Sequence, residues 1–154
     1  MAYWLFKTEP DAFSIDDLAS RPNQTEPWDG VRNYQARNFL RDKVTMGDKV
    51  FIYHSSCKKV GIAGVAEVVR EGYPDSTQFN PESNYYDPKS SLDMPRWYRV
   101  DVKFVEKFKD VLTLSSIKAM PDITEIALVK KGGRLSIMPV TETEWQRLYM
   151  AATR

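Results

Sequence analysis

The stretch "KVFIYHSSCKKVGIAGVAEVV" (residues 49–69) decides the fold. Its two apolar runs, "KVFIYH" (49–54) and "VGIAGVAEVV" (60–69), are rich in β-branched and aromatic residues and read as two consecutive strands. Neither run alternates apolar with polar. Each is apolar on both faces, which marks strands covered from both sides and placed centrally in a closed or well-covered sheet. Gly61 and Gly64 leave room for something to approach the second backbone closely.

Toward the N-terminus, "AYWLFK" (2–7) reads as a further strand, ended by Glu9-Pro10, because proline cannot donate to a ladder and restricts the residue before it. "SIDDLAS" (14–20) follows with Ser14 as N-cap and two aspartates in the first turn, a short helix. Pro22 and Pro27 bracket a loop. A second helix begins near Asn33, a good cap, with Ala36, Phe39, Leu40 and Val44 at helical spacing toward the core and Asn33, Arg37 and Arg41 as a polar stripe.

Toward the C-terminus, residues 72–96 lose all periodicity and mix Pro74, Pro81, Pro88 and Pro95 with three tyrosines; so long a loop in a small domain is functional or mobile. "WYRVDVKFVEKF" (97–108) restores alternation, with Tyr98, Val100, Val102 and Phe104 on one face of a half-buried antiparallel strand. A short helix at "LSSIKAMPD", a helical turn at "EIALVKK", a turn and strand at "GGRLSIMPV", and a final helix complete the chain. Thr141 and Glu144 are spaced as a capping box for that helix, whose apolar face is Trp145, Leu148 and Tyr149. The expectation is one α+β domain over residues 1–154, built on a small, partly open barrel.

Composition narrows the function. With 22 basic against 21 acidic residues the net charge is +1, unlike a protein that grips long duplex by phosphate neutralisation alone. No segment approaches the roughly 18 apolar residues of a membrane span, and no basic leader precedes "AYWLFK", so a cytoplasmic or nuclear, monomer-capable protein without a membrane is expected. One cysteine and one histidine exclude a disulfide framework and a soft metal site. His54 and Cys57 in "HSSC" lack an oxyanion-hole motif, and a polar strand terminus is the plainer reading than a Cys–His nucleophile. "KKGGRL" (130–135) is either an anion nest or simply a basic turn before a strand. No cofactor or metal and no catalysis are expected.

Recognition chemistry is richer. "EPWDGVRNYQARN" (26–38) gathers an aromatic, a carboxylate, a turn glycine, amides and arginines in one loop and the start of a helix. A planar base needs such a set: an aromatic to stack on, worth about 1–3 kcal/mol per base, and polar groups to read its edge. Trp28 supplies the first, against an equal case for a core aromatic; Asp29 and Asn33 supply the second. Arg32 and Arg37 could meet a phosphate near the helix N-terminus.

Taken in order, "YWLFKTEP", "WDGVRNYQARN", "GDKVFIYHSS", "GIAGVAEV", "YPD" and "GRLSIMPV" resemble the EVE domain family of the PUA-like superfamily, from Tyr3 to Trp145. The resemblance implies a small, strongly curved PUA-like β-barrel flanked by short helices, akin to YTH and ASCH modules. It further implies a non-catalytic module that captures a modified base, a modified cytosine or similar, of DNA or RNA in an aromatic-walled pocket. Carried over by residue, the pocket would draw on Lys7, Thr8 and Glu9; on Trp28, Asp29, Gly30, Asn33 and Tyr34; and on Tyr53, His54 and Ser55, with Tyr73 or Trp97 closing the aromatic wall. Arg32, Arg37 or Arg134 would meet backbone phosphate. Two alternatives stand beside this reading: an enzyme or small-molecule binder acting on a nucleotide-like ring, with Glu9, Asp29 or His54 as acid–base groups, and a protein adaptor using the 72–96 loop.

Overall fold

The computed structural model describes residues 1–132 and 134–154; Gly133, in the Gly-Gly turn, lies outside the described residues. Strands β1 (Tyr3–Thr8), β2 (Thr25–Pro27), β3 (Lys49–His54), β4 (Gly61–Pro74), β5 (Tyr98–Thr113) and β6 (Ile137–Val140) form one mixed sheet in the order β2-β5-β4-β3-β1-β6. β1 and β3 are parallel, Tyr3 opposite Lys49 and Thr8 opposite His54, and every other pairing is antiparallel.

The two-sided apolar pattern has a direct structural cause. Trp4, Phe6, Val50 and Ile52 point to one face, where helices α1 (Ile15–Ser20) and α2 (Tyr34–Asp42) bury Ile15, Leu18, Ala36 and Leu40 against them. Leu5, Phe51, Tyr53 and Ile62 point to the other, covered by α3 (Leu114–Lys118) and α4 (Glu142–Ala152) through Ile117, Trp145 and Leu148. Successive strand residues alternate faces, so a sheet covered twice must be apolar throughout.

The expected barrel is not closed: β2 and β6 are the two ends of the ladder. What curves the sheet is a series of register shifts, four along β4–β5 and one in β3–β4, each of which bends and twists its strand. The glycines mark these places. A Cβ at Gly61 or Gly64 would run into the backbone oxygen of Leu112 or Glu106, so the close neighbour of β4 is β5 of its own sheet.

The caps follow the sequence with one correction. Ser14 and Asp17 form a reciprocal capping box on α1, and Asn33 accepts from the Ala36 N–H at 2.9 Å. Thr141 caps α4 by accepting from the Glu144 N–H, but Glu144 does not return to it. Its buried carboxylate instead accepts the backbone N–H groups of Thr124, Glu125 and Ile126 at 2.8–2.9 Å. Three otherwise orphaned donors in a partly buried turn outweigh a single one at an exposed cap. Strand β2, within what the sequence suggested was loop, is held by β5, with Thr25 opposite Lys103 and Pro27 opposite Asp101.

Candidate nucleic-acid interface

Where β1 leaves the sheet, a cavity of about 410 Å³ opens between Lys7, Thr8 and Glu9 on one side and β2 with its following loop on the other. That volume lies within the roughly 300–1,000 Å³ usual for small-molecule sites. Trp28 forms one wall. It is only 7% exposed, packed between Phe6 (centroids 5.6 Å) and the edge-on ring of Phe13 (5.9 Å, 83°), and its backbone N–H donates to the Val100 carbonyl at 2.7 Å. Trp28 is therefore both a core aromatic and a cavity wall.

Gly30 is required by the turn that follows. Its φ is +78°, and a Cβ would stand 2.5 Å from the ring of Tyr85, which comes from the long loop to line the cavity mouth. Arg32 holds that ring in place. Its guanidinium donates to the Tyr85 carbonyl through Nε and Nη2, to Val31 O and Asp75 Oδ2 through Nη1, and to Thr77 Oγ1 through Nη2. All five N–H groups of the fork are thereby engaged. Arg32 lines the cavity with every donor of its fork already engaged by protein partners.

Three carboxylates line this space, Glu9 just after β1, Glu26 from β2 and Asp29 from the loop. Burial pushes the Glu26 carboxyl up against the pull of Arg21, 3.2 Å away. Burial and then the negative charge of Asp75 push Asp29 up, with Arg99 3.6 Å away opposing them. Asp75 is the hub behind the wall: fully buried, it accepts from the Gly30 N–H (2.8 Å), Arg32, and both the N–H and hydroxyl of Thr77. Burial alone would raise its pKa, but the hydrogen bonds from Thr77, Gly30 and Arg32 outweigh it and hold the carboxyl below the usual range. On the cationic side, burial lowers the Lys7 ammonium.

Of the residues expected from sequence, Lys7, Thr8, Glu9, Trp28, Asp29 and Gly30 come together around the cavity, with Arg32. The others are committed elsewhere. Asn33 caps α2, and Tyr34 stacks on Trp97 at 4.9 Å. Trp97 is buried and donates its indole N–H to Asp87, while the Tyr73 hydroxyl donates to Asp101. Tyr53 points to the opposite face of the sheet, its phenol pushed up to about 12 by burial. His54 accepts the Ile15 N–H through Nε2 at 3.1 Å, and burial lowers its pKa, so a neutral imidazole anchors the start of α1. The Ser55 N–H donates to Thr8 O. Arg37 donates to the Arg96 carbonyl, and Arg134 is exposed two residues before the lining residue Ser136.

The lining residues that sequence reasoning missed are Phe13, Arg21, Glu26 and Tyr85, with the smaller Ala12, Pro27, Val31 and Ser136. Glu26 stood inside the quoted loop but was not weighed; strand pairing with β5 is what turns that segment toward the cavity. Among the described residues no cluster of His, Cys, Asp and Glu is placed to hold a metal ion, and no helix is long and apolar enough to cross a membrane.

The model of the EVE domain family matches residues 2–151. Human thymocyte nuclear protein 1 is 43% identical over 161 residues, covering 94% of this chain and 71% of the human protein. The crystal structure of human THYN1 protein in complex with 5-methylcytosine-containing DNA superposes with a TM-score of 0.93 at 40% identity, covering 100% of this chain and 99% of that one. A crystal structure of a protein from Pseudomonas putida gives 0.93 at 50% identity, covering 97% and 98%. An ASCH protein from Zymomonas mobilis, 9% identical with a TM-score of 0.56 over 99% and 100% of the two chains, shares the fold alone.

Proposed function

The chain belongs to the EVE domain family, and on that premise we propose that it is a non-catalytic module capturing a modified base of DNA or RNA, a modified cytosine foremost, in the cavity at the end of β1. The observation that carries this reading is the meeting of an aromatic wall and the carboxylates of Glu9, Glu26 and Asp29 in one space of about 410 Å³. A flipped base costs a few kcal/mol to unstack, which ring contacts with Trp28, Phe13 and Tyr85 would offset. Cytosine presents an exocyclic amino group, and Glu and Asp are the side chains that accept from it. Glu26 and Asp29 take that role here, while Lys7, Thr8 and Glu9 border the ring from β1. A 5-methyl group gains apolar contact against the aromatic wall. The complex of human THYN1 with 5-methylcytosine-containing DNA supports a nucleic-acid partner of this kind.

Binding of oligonucleotides carrying 5-methylcytosine, cytosine or thymine, by the wild type and by Asp29→Asn and Glu26→Gln, tests the reading. Loss of a reader should weaken methylcytosine binding by about 1–3 kcal/mol, roughly 5- to 150-fold, with little change for thymine. Equal affinity of the wild type for all three oligonucleotides would overturn it.

One observation favours a second reading. Two carboxyls raised by burial in a cavity also suit acid–base chemistry on a ring compound. Turnover in a nucleoside and nucleotide panel, abolished by Asp29→Asn, would establish that reading.

A further inference from the structure

A second cleft, of about 520 Å³, lies between the C-terminal end of α3 and the turn at Val129–Lys131, lined by Lys118, Ile123, Thr124, Val129, Lys130 and Lys131. Among the described residues no carboxylate lines it. All three lysines are exposed, and none is paired with a carboxylate among the described residues. A protein of net charge +1 thus gathers three unpaired ammonium groups around one cleft.

The cleft is built on fixed supports. Ile117 beneath Lys118 is fully buried, Ile123 and Ile126 are 4% and 2% exposed, and the Glu144 carboxylate clamps three successive N–H groups of the intervening turn. At its far side the chain continues from Lys131 through Gly132, whose φ is +80° and whose Cβ position meets no neighbour, past exposed Arg134 to Ser136 in the base cavity. Six residues reach at most about 20 Å. A strand of duplex carries one phosphate per about 3.4 Å of axis, so the cleft lies within about six nucleotides of a base held in the cavity.

We propose that Lys118, Lys130 and Lys131 form a phosphate-binding track, continued by Arg134, that grips the backbone of the same nucleic-acid strand whose base enters the cavity. The proposal rests on the base-capture reading and adds a backbone path to it. Lysine suits this task because its ammonium is a point charge that follows phosphate without demanding bidentate geometry. Such contacts position a strand and carry no sequence information.

The test is the salt dependence of binding to methylated and unmethylated oligonucleotides. The triple variant Lys118→Gln, Lys130→Gln, Lys131→Gln is compared with a control carrying Lys43→Gln, Lys59→Gln and Lys109→Gln, three exposed lysines outside the cleft. Each lost phosphate contact lowers the steepness of log K against log salt by about 0.7 for single strands and 0.9 for duplex. The cleft variant should therefore flatten the plot by about 2 to 3, weaken both oligonucleotides by the same factor, and leave their affinity ratio unchanged. An unchanged slope, or an equal flattening in the control, would overturn the track. Base capture fails by a different sign: a wild type that does not discriminate methylated from unmethylated strands, whatever its salt slope.

Discussion

Replacing Asp75 by Asn should be among the most costly single-atom changes in this protein. The carboxylate is fully buried and accepts four hydrogen bonds: from the Gly30 N–H and the Thr77 N–H at 2.8 Å each, from the Thr77 hydroxyl at 2.5 Å, and from Arg32 at 3.1 Å. Oδ2 serves Gly30 and Arg32, and Oδ1 serves Thr77, so an amide nitrogen in either place faces two donors. Breaking a buried ion pair by removing one partner costs about 3–5 kcal/mol. With an m-value of about 2 kcal/mol/M, that lowers the urea midpoint by about 2 M at unchanged slope. The pH dependence has a definite sign. Because the folded carboxyl lies below its ordinary value, its contribution is present above the unfolded pKa of about 3.9 and is lost as pH falls through the folded one. The gap between wild type and variant should be constant at neutral pH and close below about pH 4. A loss under about 1 kcal/mol at pH 7, or a gap that persists in strong acid, would refute the role of Asp75 as the hub behind the cavity wall.

Glu26 has the opposite sign. Its folded pKa is raised, so the ionised group opposes folding above that value, and Glu26→Gln should leave the urea midpoint at pH 7 equal or higher while it weakens base binding; a lower midpoint would contradict this. Glu144→Gln leaves at least one N–H of the 124–126 turn unmatched and should lower Tm by about 4 °C or more, checked by calorimetry, with a shift under about 1 °C against it. Trp28 and Tyr85 should separate stability from binding. Trp28→Ala empties a buried site at a cost of about 3–5 kcal/mol, whereas Tyr85→Ala, at a ring 44% exposed, should reduce methylcytosine affinity by about 1–3 kcal/mol with an unchanged midpoint.

What could be read from sequence was local or periodic. Ser14 and Asn33 cap helices through partners three residues away, and the apolar runs at 49–54 and 60–69 reveal two-sided burial directly. What escaped was set by residues far apart. β2 is three residues long, includes a proline, and exists because β5 pairs with it from more than 70 positions away. Glu144 satisfies a capping-box spacing yet serves a turn about 20 residues upstream. In the cavity, the carried-over residues from β1 and the Trp28 loop lie together because two neighbouring segments bring them. The aromatic from the long loop could not be chosen the same way. Tyr85 stands in a stretch without periodicity, and what selects it over Tyr73 and Trp97 is the Arg32 fork reaching across 53 positions.

The most direct test of base capture is a titration that follows the indole N–H resonances of Trp28 and Trp145, the latter on the opposite face of the sheet. Short oligonucleotides with a single 5-methylcytosine or cytosine would be added in turn. A base entering the cavity predicts a saturable shift of the Trp28 signal, reached at lower concentration for the methylated strand, with Trp145 still. A Trp28 signal that stays in place, or that moves equally for both strands, would contradict the account.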